Sequence, residues 1–549
     1  MFYFASDNPL APGILSQLKS IQQAGFHPDI NVIAQYDPQT ERAPLHVFDV
    51  NKVEKLKARK TKQPFQIGFK PDNSFVPNLV LDKLWIDEDD IEMVRAAIGP
   101  AGENYKQPPP PNSRRKKSAA EDGQEPSPKD SLSNFLEFCR KSYPARRYML
   151  FILGHGLVVG NDMFLFDEHA AQRSVSLNDL GKLLGDFRKQ VNKDGQAFEF
   201  LSLHSCSMSA LEVAYELKNT ASYMLASQGP AFVGSWPYRQ ILMRVFQDVV
   251  EKEKDVKTTL GKIFNYCLHN SRDFQLAGYS FDLCLCDLSK VPDIKTPLRK
   301  LSATLKSALS DRAAQDCILL AHWDAQSYWG ESYTDLYDYC LRLIQRCQDA
   351  QDSSKKANAT LRAIQRDCCD VIKTLEPGSE KLIIETGTAG GEFQFSHGLS
   401  VFFPWSAPGG KFWPKEYGSY KFNAKNKGTR WIEFLDEYFR STMRDPRGSE
   451  SVEKGKSVRK PRTHEVLLDR MALRGLVSGG QLGSDGSDDK GSGSDVTGGD
   501  GSGTEGVDKG SGSDATGGLG FASIKNYPPH TLVSVGKRES VREPYECPE

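Results

Sequence analysis

The sequence has no long apolar run, no cysteine framework and no excess of charge of either sign, and each absence removes a class of function. No window comes near the ~18 uninterrupted apolar residues that a membrane-spanning helix needs, so no membrane span is expected. Lys and Arg total 70 against 71 Asp and Glu, a net charge of −1. That balance supplies no field to attract nucleic acid, and none is expected as a partner. The 11 cysteines are scattered without paired zinc-like spacing. Their odd number fits reduced thiols better than a disulfide scaffold. Cys284-x-Cys286 and Cys368-Cys369 read as core or surface thiols, and no metal ligand set is expected. The opening segment, MFYFASDNPL, lacks a basic stretch and has too short an apolar run for a secretory leader. These absences together lead to the expectation of a cytoplasmic protein.

What is present is alternation. The chain of 549 residues has room for two or three domains and a large core. Residues 1–6, 31–37 and 45–50 read as strands, and Ile14, Leu18 and Ile21 fall on one face of an intervening helix. Residues 101–130 hold KQPPPPNSRRKKSAAEDGQEPSPKD, which cannot build a core and is expected to be a disordered insert. Its Arg114–Lys117 run reads as a solvated stretch. Order resumes with a helix at about 131–142 and a buried strand, Tyr148–Leu153, ending at Gly154-His155-Gly156. A helix (about 176–191), a strand (198–203) running into His-Ser-Cys-Ser, a second helix and a strand (222–228) follow. This order predicts an α/β fold: a mostly parallel sheet between helical layers, an α/β/α sandwich. Residues 1–245 are expected to form the main domain. Residues 246–445 read as a helical, then α+β, region packed on it, with KLIIET and LSVFFPW as short strands. Residues 446–549 read as a flexible tail, in which DKGSGSDVTGG recurs as DKGSGSDATGG after 19 residues.

One constellation carries chemistry. FEFLSLHSCSMSALEVAYEL places Cys206 where a strand gives way to a helix, and His155 lies 51 residues upstream at the end of another strand. Neighbouring parallel strands would bring both side chains to one carboxyl edge, where open α/β sheets gather ligands. Gly154 and Gly156 around the histidine would let the backbone turn sharply and approach a substrate. The helix after Cys206 would favour the thiolate. His155 would serve as general base, and the amides of Gly156 and Cys206 would form an oxyanion hole. No third acidic partner stands near either motif, which points to a dyad.

These residues resemble the clostripain-like branch of the caspase-type cysteine peptidases. The likeness extends from MFYFASDNPL and NVIAQYD through SNFLEFCRKSYPARRYMLFILGHG to CDLSKV, AQSYWGESYTDLYDYC and HGLSVFFPWS, over roughly residues 1–440 without the insert. The resemblance implies a caspase-like sheet, Cys206 as nucleophile, His155 as base, and an endopeptidase acting on polypeptide substrates. It also implies a preference for Arg or Lys before the cut, read by acidic pocket residues. One such acid stands two positions before the cysteine, where this chain has His204. Another lies after the next strand, where ASQGPAFVGSWPY contains no Asp or Glu. His204, Gln228, Ser235 and Trp236 are therefore expected to line a pocket for a neutral or even acidic side chain, with His204 as a mere strand-edge hydrogen-bonder the competing reading. No cofactor is expected to be required. Calcium dependence and a regulatory protein partner follow from the resemblance alone. The competing functions are an inactive caspase-like scaffold or binding module, and a thiol-dependent hydrolase or transferase acting on a non-peptide amide.

Overall fold

Continuous apolar runs such as Tyr148–Leu153 suit strands covered on both faces, and these form the centre of the sheet. In the computed structural model, residues 1–67 and 127–442 are described apart from short gaps, the longest at 38–45, 271–278 and 409–414. The strands are β1 (Phe2–Phe4), β2 (Ile33–Tyr36), β3 (His46–Asp49), β4 (Arg147–Leu153), β5 (Ala197–His204), β6 (Tyr223–Ala226), β7 (Phe281–Asp287) and β8 (Ile383–Ala389). They form one 8-stranded sheet in the order β8-β7-β6-β5-β4-β1-β2-β3. From β2 to β6 across the centre the strands are parallel, while β3 and β7 run against their neighbours. The chain leaves β1 towards β2, then returns to the other side of β1 for β4. That reversal creates a crevice at the carboxyl ends of β1 and β4.

Helices α1 (Ala11–Gln23), α2 (Pro128–Ser142), α3 (Leu177–Lys193), α4 (Leu211–Leu217), α5 (Tyr238–Val250) and α6 (Val256–Asn270) supply the layers. Ile14 and Leu18 of α1, Tyr238 and Ile241 of α5 and Phe264 of α6 share a buried core with Phe2, Phe4, Phe151 and Phe200 on one face. On the other, Phe135 of α2 lies against Tyr3, and Phe187 of α3 sits edge-on to Tyr148 and Phe198. Helix starts follow the sequence. Ser127 caps α2 and Ser176 caps α3, each accepting from the amide of an Asp three residues on.

Two sequence-based boundaries move. Residues 127–130, assigned to the insert, form the cap and first turn of α2, and Lys129 pairs with Asp179 of α3 at 2.7 Å. The division at 245/246 does not hold in the sheet, because β7 and β8 come from beyond it and complete the same ladder. The remainder of the insert (101–126) and the 446–549 tail lie outside the described residues.

The second half also grips the segment after Cys206. A small sheet joins Ser327–Tyr328, Tyr333–Asp335 and Ser400–Phe402, and Ser400 bridges to Ala210 at the start of α4. From α4, Glu212 accepts the Phe402 amide at 3.1 Å and the Tyr417 hydroxyl at 2.6 Å. One turn later Glu216 pairs with the Lys421 ammonium at 2.9 Å. Glu212 is fully buried, and its second oxygen has no hydrogen-bond partner. Burial pushes its pKa up from 4.5 to about 7, against the Tyr417 and amide hydrogen bonds that favour the charge.

The folded protein thus holds a proton on Glu212 that the unfolded chain releases near its ordinary value of 4.5. Stability from this group is full below about 4.5 and falls as pH rises towards 7. Glu212→Gln, with no proton to lose, should flatten the decline of melting temperature between those pH values. Superimposable wild-type and variant slopes would contradict that assignment.

Candidate active site

Strand register brings the two motifs together. Leu153, the last residue of β4, pairs with His204, the last of β5. His155 and Cys206 each lie two residues beyond, so they leave adjacent parallel strands at the same edge, beside the crevice between β1 and β4. The link is tight. A Cβ built on Gly156 would lie 1.7 Å from the Cys206 carbonyl oxygen, and one on Gly154 would lie 2.9 Å from Ala5 Cβ. Neither glycine takes a positive φ. The chain bends at Gly154 as expected, and the two glycines have a second role: they lack side chains where the segments of Ala5 and Cys206 pack against them. The Gly156 contact sets side by side the two peptides named for an oxyanion hole.

Cys206 is held from both directions. Ser207 takes φ 58°, a left-handed conformation rare for a non-glycine residue, which turns the chain sharply off β5. The Ser207 amide donates to Gly229 O at 3.2 Å and the Ser209 amide to Ser227 O at 2.8 Å, tying the turn to the segment after β6. Helix α4 begins only at Leu211 and has 7 residues. The expectation that its dipole favours the thiolate is corrected, since that field fades within a turn. The Ala231 amide, which donates to Cys206 Sγ at 3.4 Å, takes its place.

Of the ten described cysteines, nine are buried and Cys206 alone keeps part of its surface open. Burial nonetheless pushes its thiol pKa up, with the Ala231 amide opposing. His155 is half-buried, edge-on to Phe166 at 6.2 Å. Burial lowers its pKa below 6.5. At neutral pH the pair accordingly rests as thiol and neutral imidazole, the protonation states a general base needs before it takes a proton.

The four expected pocket residues divide. His204 is fully buried beneath the 232–236 loop. Its Nε2 lies 2.7 Å from Phe232 O, which can only accept, so Nε2 carries the proton. Its Nδ1 then accepts from the Tyr238 hydroxyl at 2.8 Å, and its ring stacks on Trp236 at 4.4 Å. Burial lowers its pKa to about 3. It offers no positive charge to an acidic side chain. Ser235, which donates to Phe232 O at 2.7 Å, and Trp236 are buried and border a narrow recess with Ser227, Ala231 and Asp282. Gln228 is placed differently from expectation. It is fully buried, its side chain donates to Asp335 at 3.0 Å and accepts from the Gly398 amide at 3.1 Å. Its amide is committed to those ties and not to a substrate.

Asp282 is the residue that reading from the sequence missed. Its carboxylate accepts the amides of Gln228 and Gly229, each at 2.7 Å. Burial pushes its pKa up to about 7 despite those two bonds, with the charge of Asp335 adding to the shift. The signal was an acid inside an apolar strand, FDLCLC, where an unpaired carboxylate is costly. Among the described residues no group of three or more His, Cys, Asp or Glu side chains is placed to hold a metal ion, and no helix is long and apolar enough to cross a membrane.

Gly156→Ala should separate the two motifs, because the added methyl has no space beside the Cys206 carbonyl. The expected loss in kcat/KM is on the order of 10²-fold or more, as for other ångström-scale misplacements. Near-wild-type turnover of a peptide substrate would contradict the contact.

The clostripain family model matches residues 118–438. No curated protein matches the sequence. Among solved structures, the chain is similar to an inactive zymogen C11 protease from Parabacteroides distasonis, with 16% identity, 79% of this chain and 96% of that chain covered, and a TM-score of 0.43. It is also similar to a secreted C11 cysteine protease from Bacteroides thetaiotaomicron bound to an irreversible peptide inhibitor, with 12% identity, 79% and 97% covered, and a TM-score of 0.41. The family match spans more than half of the chain and includes both His155 and Cys206: the protein belongs to the clostripain family of cysteine peptidases.

Proposed function

We propose that this cysteine peptidase cleaves polypeptides internally with Cys206 as nucleophile and His155 as base, and that it prefers an uncharged side chain before the cut. The observation that supports the catalytic assignment is the register of Leu153 with His204, from which residues 155 and 206 each follow by two positions at the same edge of the sheet. In the reaction His155 takes the thiol proton as sulfur bonds to the scissile carbonyl carbon. The oxygen gathers negative charge against the amides of Gly156 and Cys206. The C–N bond breaks as His155 returns the proton to the leaving amine. Water, deprotonated by His155, then hydrolyses the thioester and frees the thiol.

The neutral preference is supported by His204 and by the segment after it. Where the resemblance puts one pocket acid this chain has the neutral His204 imidazole, and the segment 226–238, where it puts another, holds no Asp or Glu. Asp282, the acid beside Ser235 and Trp236, already accepts the Gln228 and Gly229 amides, so a guanidinium there would be desolvated without a free carboxylate to meet it. The ten described cysteines are free thiols, which suits a reducing compartment, and the reading keeps the cytoplasmic expectation. Calcium dependence and a regulatory protein partner remain proposals from the resemblance, examined by running assays with and without chelator.

A fluorogenic peptide library distinguishes the outcomes. Turnover abolished by Cys206→Ala and strongest for uncharged residues before the cut is expected. Strongest turnover after Arg or Lys would overturn the pocket reading, and no turnover of any peptide would favour a scaffold. In addition, kcat/KM should rise with pH through an apparent pKa below 6.5 as His155 loses its proton. An acid limb at or above that value would contradict the neutral resting imidazole.

A further inference from the structure

The loop from Gln228 to Ala231 stands behind the thiol; the Ser207 amide holds Gly229 O from the first half of the chain, and its other main ties come from the second half. Beta pairing between β6 and β7 ends at Ala226 opposite Cys284. Two residues further on each strand, the ladder is replaced by a side chain: Asp282 Oδ2 takes the Gln228 amide and Oδ1 the Gly229 amide, both at 2.7 Å. Around this clamp, Trp329 Nε1 donates to Gln228 O at 3.1 Å. The Gln228 side chain reaches Asp335 and Gly398. Gly229 has no room to shift towards β7, since a Cβ there would meet Phe393 at 2.9 Å and Asp282 Oδ1 at 3.0 Å. Two residues on, Ala231 donates its amide to Cys206 Sγ at 3.4 Å.

We propose that Asp282 is a positioning residue for the nucleophile: by clamping the Gln228 and Gly229 amides it holds the Ala231 N–H against the Cys206 sulfur. The inference rests on Cys206 being the nucleophile, and it adds a group that acts on the thiol through the loop. Without an acceptor at 282, two buried amides lose their partners, and the loop must move to satisfy them. The Ala231 amide moves with it. The thiolate then loses a hydrogen bond that favours its charged form.

The test uses the full chain with Asp282→Asn, which keeps the shape but replaces one acceptor oxygen by a donor, and with Asp282→Ala. The rate of iodoacetamide alkylation at Cys206 is followed against pH by mass spectrometry of the Cys206 peptide, alongside kcat and KM for a peptide substrate. The apparent pKa of the thiol is expected to rise by on the order of one unit. Alkylation at pH 7 and kcat should then fall about tenfold, with little change in KM. Asp248→Asn, which removes an ion pair with Arg244 on α5, should leave the alkylation profile unmoved, so general loosening does not mimic the effect. If Asp282→Asn folds, as judged by near-ultraviolet circular dichroism, and keeps the wild-type alkylation profile and kcat, the proposal is overturned while the Cys206 assignment stands. If iodoacetamide labels other cysteines of the wild-type chain in preference to Cys206 and no peptide is cleaved, the nucleophile assignment fails and the proposal falls with it.

Discussion

The contact between the Gly156 and Cys206 backbones is the constraint on which the rest of the active site depends. It exists because β4 and β5 are adjacent and parallel, with Leu153 opposite His204, and because no side chain stands at 156 to hold the segments apart. A register slip of one residue would send Cys206 to the other face of the sheet, since side chains alternate. The apolar pattern of β4 and β5 resists that slip. Phe151 and Phe200 face the α1/α5/α6 layer, while Tyr148 and Phe198 face Phe187 of α3. Core packing therefore sets the catalytic geometry at one remove.

The second half of the chain is part of the site's support. Strands β7 and β8 extend the catalytic sheet, Asp282 on β7 holds the loop behind the thiol, and Phe402 and Tyr417 hold α4 through Glu212. Two of these ties use carboxyl groups whose pKa burial raises to about 7. Such groups destabilise the fold in their charged form relative to well-packed apolar residues. What they supply is directional: a carboxylate can take two amides or an amide and a hydroxyl at set angles, which an apolar side chain cannot.

Much of this was legible in the residues. Period and apolar content gave the strands around 148–153 and 198–203 and the helix near 176–191, to within a few residues of the observed elements. That residues 155 and 206 leave adjacent parallel strands at one edge followed from strand order alone. Other features depend on long-range contacts that no local pattern encodes. Gly154 and Gly156 read as glycines for a sharp turn and a close approach to substrate, and only the proximity of Ala5 and Cys206 reveals their packing role. Gln228 read as a pocket wall, whereas its partners Asp335 and Gly398 lie more than a hundred residues away. The helix after Cys206 was foreseen, but the left-handed Ser207 delays it to Leu211. The division at 245 failed because sheet membership depends on pairing across the sequence.

The most direct test of the meeting of imidazole and sulfur is covalent trapping. A peptidyl chloromethyl ketone with an uncharged residue next to the warhead, incubated with the native chain and digested for mass spectrometry, should leave its adduct on Cys206. The adduct should form far more slowly in His155→Ala. Labelling spread over other cysteines, or labelling of Cys206 at an equal rate without the imidazole, would contradict the account.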